Sequence, residues 1–430
     1  MIIASIDLQG GKVVQLRQGT ELLLQRDDAE HLAAEFDLYG EVAVIDLDAA
    51  MNKGSNFELV KSLLHKACCR VGGGIRTAEQ AKELVSLGAK KIIIGSVVFK
   101  DPAKKGQGLS GGEFFINIPL LEEFVKAIGQ ERLIVAVDSK NGEIVLDGWK
   151  TNSGLSLYES AKKLEPYVSE LLFTCVEREG TMSGIDMEQV KELKKSFSKT
   201  ITAAGGISTL EEIEELSALG CNAQLGMALY EGKIKHIDAF IHSLNWSKAS
   251  DGLLPLIAQS YDGQVLMTGF TDREAVRESF VRSNLCFHSR SRNRLWMKGE
   301  NSGNTLNLLR MRTDCDSDAL LAEVIPSGPT CHTGSWSCFK SSRDFTWEYL
   351  QEIIKERFAN PRPGSYTATL DDKLVREKIM EEADEVCRAE TIDEKIWEAA
   401  DLLYFTTVLI SKEGISVEDV LNELERRHLK

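Results

Sequence analysis

The decapeptide RTDCDSDALL, residues 312–321, sets Cys315 between Asp314 and Asp316 and adds Asp318 two residues on. Adjacent carboxylates repel one another, so three packed this closely ask for a cation. Downstream, CHTGSWSC supplies Cys331 and Cys338. The thiolates of Cys315, Cys331 and Cys338 would leave a fourth position for water, the open arrangement of a catalytic zinc site. Read as a strand, residues 314–318 turn their aspartates to the face opposite Cys315, where hard oxygen donors suit Mg²⁺. The competing reading, buried thiols and solvated turn carboxylates, is disfavoured because six ligand-type residues cluster. His332, next to Cys331, is placed to shuttle a proton, with an ordinary structural histidine as the alternative. Arg290, Arg292 and Lys298, set among the serines of HSRSRNRLWMKGENSGN, form a candidate phosphate grip, against which stands an ordinary basic face.

A second acidic constellation lies near the C-terminus. Glu381, Glu382 and Glu385 share helical spacing, and Glu398 with Asp401 makes a further i, i+3 pair. Facing helices would converge these carboxylates on Mg²⁺, which bridges diphosphates and activates water. Acidic helices are often only solvated faces, but the apolar neighbours in WEAADLLYF put Glu398 and Asp401 beside a packed seam.

The N-terminal half offers two aspartates related by a repeat. Asp7 in IASIDLQGGKVVQL corresponds to Asp138 in IVAVDSKNGEIVL, and GGIRTAEQAKELVSLGAKKIIIG at 73 corresponds to GGISTLEEIEELSALGCNAQLG at 205. The offsets, 131 and 132 residues, nearly coincide, and the repeat identifies two halves of like structure. Each half alternates buried β-branched runs with helical patterns, and two halves of about four β/α units close an eight-stranded (β/α)₈ barrel. Asp7 and Asp138, at the ends of related strands, would face each other across its mouth as an acid and a base. Paired glycine turns, Gly73, Gly74, Gly95 and Ser96 against Gly205, Gly206, Gly226 and Met227, would offer backbone amides to a substrate with two phosphates. Glycines needed only for turn geometry are the other reading. KKGQGLSGGEFFIN, 104–117, fits the repeat least and reads as a loop over a ligand or a mobile one.

WSKASDG, 246–252, has the composition of a linker, and KSSRD, 340–344, marks a second break. The expected organisation is α/β overall: a barrel over 1–247, a small β-rich α+β domain over 253–340 and an all-α domain over 345–430. The 430 residues, 43% hydrophobic and 27% charged, suit an ordered globular chain. A net charge of −15 argues against broad contact with nucleic acid or anionic membrane. No apolar run reaches the roughly 20 residues of a membrane span. With no secretion signal in MIIASIDLQGG and nine cysteines forming no disulfide framework, a cytoplasmic protein is expected. A plastid form that has lost its transit peptide is the alternative.

Three resemblances follow from these motifs. DLQGGKVVQLRQG, DLDAA, GGGIRT, IIIGS, AVDSKNGEIVLDGWK and AAGGIS with GMALYEG resemble, over 1 to about 235, the histidine-biosynthesis isomerase that converts ProFAR to PRFAR. The resemblance implies Asp7 as base and Asp138 as acid in an Amadori rearrangement, with Thr174 as a substrate contact. Gln15 and Thr20 stand where that family often has Arg and Asp, and Glu179 where Asp is usual; these departures motivate a second reading, a barrel kept as a scaffold. LLPLIAQSYDG to SCFK, about 253–340, resembles phosphoribosyl-AMP cyclohydrolase, with Asn301 in place of a common Thr. That family opens the adenine ring with zinc held by thiolates shared between subunits, which implies a homodimer through this domain. PGSYTATL, EEADE and WEAADLLYF through VLNELERRH resemble phosphoribosyl-ATP pyrophosphohydrolase over 345–430. The substrates implied are phosphoribosyl nucleotides, taken through three consecutive steps, with Zn²⁺ and Mg²⁺ as cofactors.

Overall fold

The computed structural model describes residues 1–99 and 114–428. Residues 104–113 of the glycine-rich segment, read above as a loop over a ligand, lie outside them. Eight parallel strands, β1 (Ile2–Gln9), β2 (Val42–Asp46), β3 (Cys69–Gly72), β4 (Lys91–Ile94), β5 (Leu133–Lys140), β6 (Glu170–Cys175), β7 (Thr200–Ala204) and β8 (Cys221–Leu225), pair in sequence order, and β8 returns to β1 through Ile2↔Ala223. The barrel is closed, as the repeat requires. Ile93, Ile134, Leu172 and Ala204 fill its interior as one layer, while the outward strand faces pack under the helices in a larger core. Symmetry extends to the caps: Thr77 and Thr209 form capping boxes with Gln80 and Glu212 at the helices Ala78–Ser86 and Leu210–Ala218.

The N-terminal end of the barrel is closed by charge rather than apolar packing. Arg70 and Glu170, 1% and 0% exposed, pair with each other. Arg70 also pairs with Glu41, and Lys91 reaches Glu170 at 2.8 Å. Thr202 donates its hydroxyl to Glu170 and receives the Asn222 amide at 3.3 Å. The Met1 amine is buried above this network and held down to about pH 6 by burial first and the Arg70 charge second. At the opposite end each half-barrel adds an antiparallel hairpin, Lys12–Arg17 with Glu21–Arg26 after β1 and Glu143–Leu146 with Thr151–Ser156 after β5. The two hairpins meet above the mouth, where Gly19 lies against the Trp149 ring.

The second unit is a four-stranded sheet of β9 (Leu254–Ser260), β10 (Val265–Thr271), β13 (Leu306–Thr313) and β14 (Leu320–Pro326) in the order β10-β9-β14-β13, with a separate ribbon of β11 (Cys286–Ser289) and β12 (Arg294–Met297). Leu256, Leu266, Met311 and Ala322 share one core with Phe240 and Ile241 from the last barrel helix, His236–His242. Arg310 and Arg312 on β13 pair with Asp37 of the barrel at 3.1 and 2.8 Å. The segment read as a linker is docked: Asn245 N donates to Ser317 O at 2.7 Å, and Lys248 bonds the aspartates beyond it. The third unit packs helices Trp347–Ala359, Asp372–Arg388, Ile392–Lys412 and Val417–His428, the first three around Ile354, Val375, Phe405 and Val408. The second break is docked as well, because Arg343 holds Asp262 of the sheet at 2.9 Å and lies 3.9 Å above the Tyr349 ring of the helical unit.

Breaking a buried ion pair on one side strands the other charge. Glu170→Gln should therefore lower the unfolding free energy of the barrel by about 3–5 kcal/mol, read as an earlier denaturant midpoint in urea with the helical unit's transition unmoved.

Candidate active sites

Asp7 and Asp138 sit near the C-terminal ends of β1 and β5, on opposite sides of the barrel mouth. Burial raises Asp7 to about 6, against the Ser5 hydroxyl, which donates to its Oδ1 at 2.9 Å. Burial likewise raises Asp138, whose Oδ2 accepts the Trp149 indole at 2.9 Å; Thr174, its register partner on β6, donates to it as well. Between them stands Glu179, pushed up to about 8 by burial first and then by the charges of Asp7 and Asp138. Three carboxyls thus share a mouth roofed by two hairpins. Gln15, 4% exposed, brings a carboxamide to the same end; its Nε2 is a buried donor without a partner, and its Oε1 lies beside Gly226.

Gly73 and Gly205 both have φ of +95°, with Gly74 at +71° and Gly206 at +87°. A side chain at Gly74 would meet the Ala49 backbone at 2.6 Å, and one at Gly205 the Cys175 carbonyl at 2.7 Å. The turn geometry alone demands glycine at these positions. Gly95 and Ser96 follow β4, and Gly226 and Met227 follow β8, so both pairs lie at the mouth end.

In the second unit the strand expected over 314–318 is absent. β13 ends at Thr313 and β14 begins at Leu320. The residues between form a turn, with Ser317 at φ +59° and the Asp314 carboxylate accepting from the Asp318 and Ala319 amides at 3.0 and 3.2 Å. Alternating polar residues were misread as a pleat; short polar side chains that bond their own backbone make a turn instead. The turn gathers Asp314, Asp316 and Asp318 with their oxygens within 4.8 Å. Their cation in this structure is Lys248, bonded to Asp316 and at 3.1 Å from Asp318. Cys315 is exposed on this turn, whereas Cys331 and Cys338 interact with each other, and Lys298, 8% exposed, feels both thiols. The Thr333 hydroxyl donates to Cys331 Sγ at 3.1 Å and is the main cause lowering that thiol's pKa. His332 is exposed with Nδ1 3.8 Å from Cys331 Sγ. Arg290 lies 3.9 Å over the Phe270 ring, and Arg292 is exposed in the ribbon turn.

In the helical unit Glu382, Glu385 and Glu398 converge within 4.8 Å. Glu382, 5% exposed, is raised by burial first and then, against the Lys378 charge, by Glu385, Asp401 and Glu381. Glu398 is raised as well, by desolvation and then by Glu385. Glu381 is drawn away to Lys378 at 2.7 Å, and Asp401 stands within electrostatic reach of Glu382.

Residues 1–235 match the profile of the histidine biosynthesis protein family, 267–340 that of phosphoribosyl-AMP cyclohydrolase and 348–428 that of phosphoribosyl-ATP pyrophosphohydrolase. The chain belongs to the histidine biosynthesis protein family. Among its relatives is the histidine biosynthesis bifunctional protein HisIE of Vibrio vulnificus (strain YJ016), 38% identical over 208 residues, 46% of this chain and 98% of the relative. The protein of the same name from Pyrococcus furiosus is 42% identical over 207 residues, 44% of this chain and 98% of the relative, and that of Pasteurella multocida 42% over 202, 44% and 99%. This histidine-biosynthesis chain is thus a multifunctional enzyme whose units carry isomerase, cyclohydrolase and pyrophosphohydrolase folds. Among the described residues no helix is long and apolar enough to cross a membrane.

Sequence reasoning noted Glu179 and Gln15 only as departures and gave Trp149 no role. Their signal lies in the closed barrel, which alone brings a loop after β6 and two hairpins over one mouth. A carboxyl raised in the fold is most stable there while protonated, and that stability is lost as pH rises from the unfolded value through the folded one. For Glu179 the window runs from 4.5 to about 8. Glu179→Gln should therefore raise the barrel's Tm by a few degrees at pH 9 and much less at pH 5, measured by scanning calorimetry.

Proposed function

We propose that the helical unit hydrolyses phosphoribosyl-ATP to phosphoribosyl-AMP and pyrophosphate, the second unit opens the adenine ring of that product to give ProFAR, and the barrel isomerises ProFAR to PRFAR. The observation that carries the last step is the mouth itself: Asp7, Asp138 and Glu179 stand together there, buried and raised above the usual carboxyl range. An aldose-to-ketose rearrangement needs one group to take a proton from carbon and another to give one to oxygen. Asp7, ionised above about pH 6, is the base. Asp138, oriented by Trp149 and Thr174 and raised by burial, is the acid. Gln15's unpaired amide and the glycine turns at the mouth suit a phosphate. A scaffold barrel has no support in the matched profile or in this arrangement.

The donor set in the second unit fits zinc: two interacting thiols, one eased toward thiolate, with Cys315 apart on an exposed turn. A second copy would complete the set, so a homodimer through this unit belongs to the same reading. Zinc held by Cys315, Cys331 and Cys338 would supply Lewis acidity toward water. His332 moves a proton at the rim, and Lys298, Arg290 and Arg292 hold the phosphoribosyl groups. In the helical unit, Glu382, Glu385 and Glu398, with Asp401 near Glu382, fit magnesium because carboxylates gathered within 4.8 Å are relieved by a cation. Magnesium there would neutralise the diphosphate. Asp314, Asp316 and Asp318 already carry Lys248, so magnesium would have to displace that ammonium. All nine cysteines are unpaired, which suits the reducing cytoplasm.

Purified chain given ProFAR should form PRFAR, and Asp138→Asn should slow it about 10²–10⁴-fold; no PRFAR from the wild type, or equal rates in the variant, would defeat the isomerase assignment. Elemental analysis should find about one zinc per chain, largely lost in Cys315→Ser; full retention would refute the ligand set.

A further inference from the structure

A cavity of about 940 Å³ opens in the helical unit, between the helix Trp347–Ala359 and the segment PRPGSYT at 361–367, which runs into the one-turn helix Tyr366–Thr369. None of the assignments above uses it. Its volume suits a small-molecule ligand, and its charges are sorted. Glu352 is bound to Arg343 and Glu356 to Arg362 at 3.2 Å. Arg357 has no carboxylate partner among the described residues. Its Nη1 donates only to Thr367 Oγ1 at 3.3 Å, and Thr367, 2% exposed, shares a hydrogen bond of 2.7 Å with the Tyr404 hydroxyl. The guanidinium is thus steered by a buried hydroxyl pair with most of its donors unspent, which is how an anion site is held ready.

The cavity adjoins the carboxylate cluster. Tyr366, half exposed on its rim, lies within electrostatic reach of Lys378, which bonds Glu381 at 2.7 Å and Glu382 at 3.6 Å. Two neighbouring places of opposite charge can order a substrate that is anionic at both ends. The cluster of Glu382, Glu385 and Glu398 accepts phosphate only through a cation, whereas Arg357 takes one directly. Since pyrophosphate leaves from the triphosphate, the triphosphate must lie toward the cluster, and the other end of the molecule, a sugar phosphomonoester, toward the arginine. We propose that this cavity seats the ribosyl 5′-phosphate of phosphoribosyl-ATP on Arg357, which makes Arg357 the residue that separates this substrate from ordinary nucleoside triphosphates. The assignment rests on the pyrophosphohydrolase reading given above.

Steady-state release of pyrophosphate from phosphoribosyl-ATP by the full chain tests it. Arg357→Ala should raise KM about tenfold or more while kcat stays within about twofold, and Arg357→Lys should recover part of the loss. Ribose 5-phosphate should inhibit the wild type competitively and the alanine variant about tenfold more weakly. An unchanged KM, or a loss confined to kcat, overturns the proposal. If Arg357→Ala loses the helical circular dichroism of the wild type, Arg357→Lys and the ribose 5-phosphate inhibition of the wild type decide, and absence of inhibition at millimolar concentration overturns it. A wild-type chain that releases no pyrophosphate, yet opens the ring of phosphoribosyl-AMP, refutes instead the reading beneath.

Discussion

Carboxylates crowded together, above all where water is excluded, call for a proton or a cation, and each unit of this chain gathers such a set. The barrel answers with protons: Asp7, Asp138 and Glu179 are all raised by burial, and no neighbouring cation offsets those shifts. The aspartate turn answers with Lys248. In the helical unit Lys378 alone among the described residues is at hand, at 3.6 Å from Glu382, and Glu385 and Glu398 still press on one another. That residual repulsion marks the place where a cation from solution lowers the free energy most. A site that stays strained until its ligand arrives is preorganised for it.

The three units are not strung loosely. Asp37 clamps Arg310 and Arg312 between barrel and sheet, and Arg343 ties the sheet's Asp262 to Glu352 on the first tail helix. Lys248 has the same character, since it leaves the end of the barrel and closes the turn that carries Cys315. Stability of the segment between the units and exposure of a candidate zinc thiol are therefore coupled through one ammonium. Fusion places the cavity that holds Arg357 directly beyond this junction, because Glu352 lines it while bonded to Arg343.

Much of the fold was legible because it repeats. The internal match of Asp7 to Asp138 and of two glycine turns survives in the structure as closed β1–β8 pairing, equal φ at Gly73 and Gly205, and twin capping boxes. Helical spacing put Glu382 and Glu385 on one face, and the facing helix Ile392–Lys412 brings Glu398 to them. What escaped depends on partners distant in sequence. Glu381 shares the spacing of Glu382 yet turns to Lys378, and Glu179 gains its environment only when a loop after β6 meets β1 and β5. The aspartate turn defeated the period-two reading, since Asp314 bonds the amides of Asp318 and Ala319. The segment carrying Tyr366 and Thr367 shows no charge pattern of its own, and its cavity forms only where it faces the helix of Arg357 and the Tyr404 ring.

The most direct test of neutralisation by a shared cation is calorimetric titration of Mg²⁺ into the zinc-loaded chain, for the wild type and for Glu398→Gln, in buffers of differing ionisation heat. The account predicts saturable binding by the wild type, with protons released at about pH 5, where carboxyls raised from 4.5 still hold part of their protons, and binding weakened about tenfold or more in the variant. Equal binding by both proteins, or binding by the wild type without proton release, would contradict it.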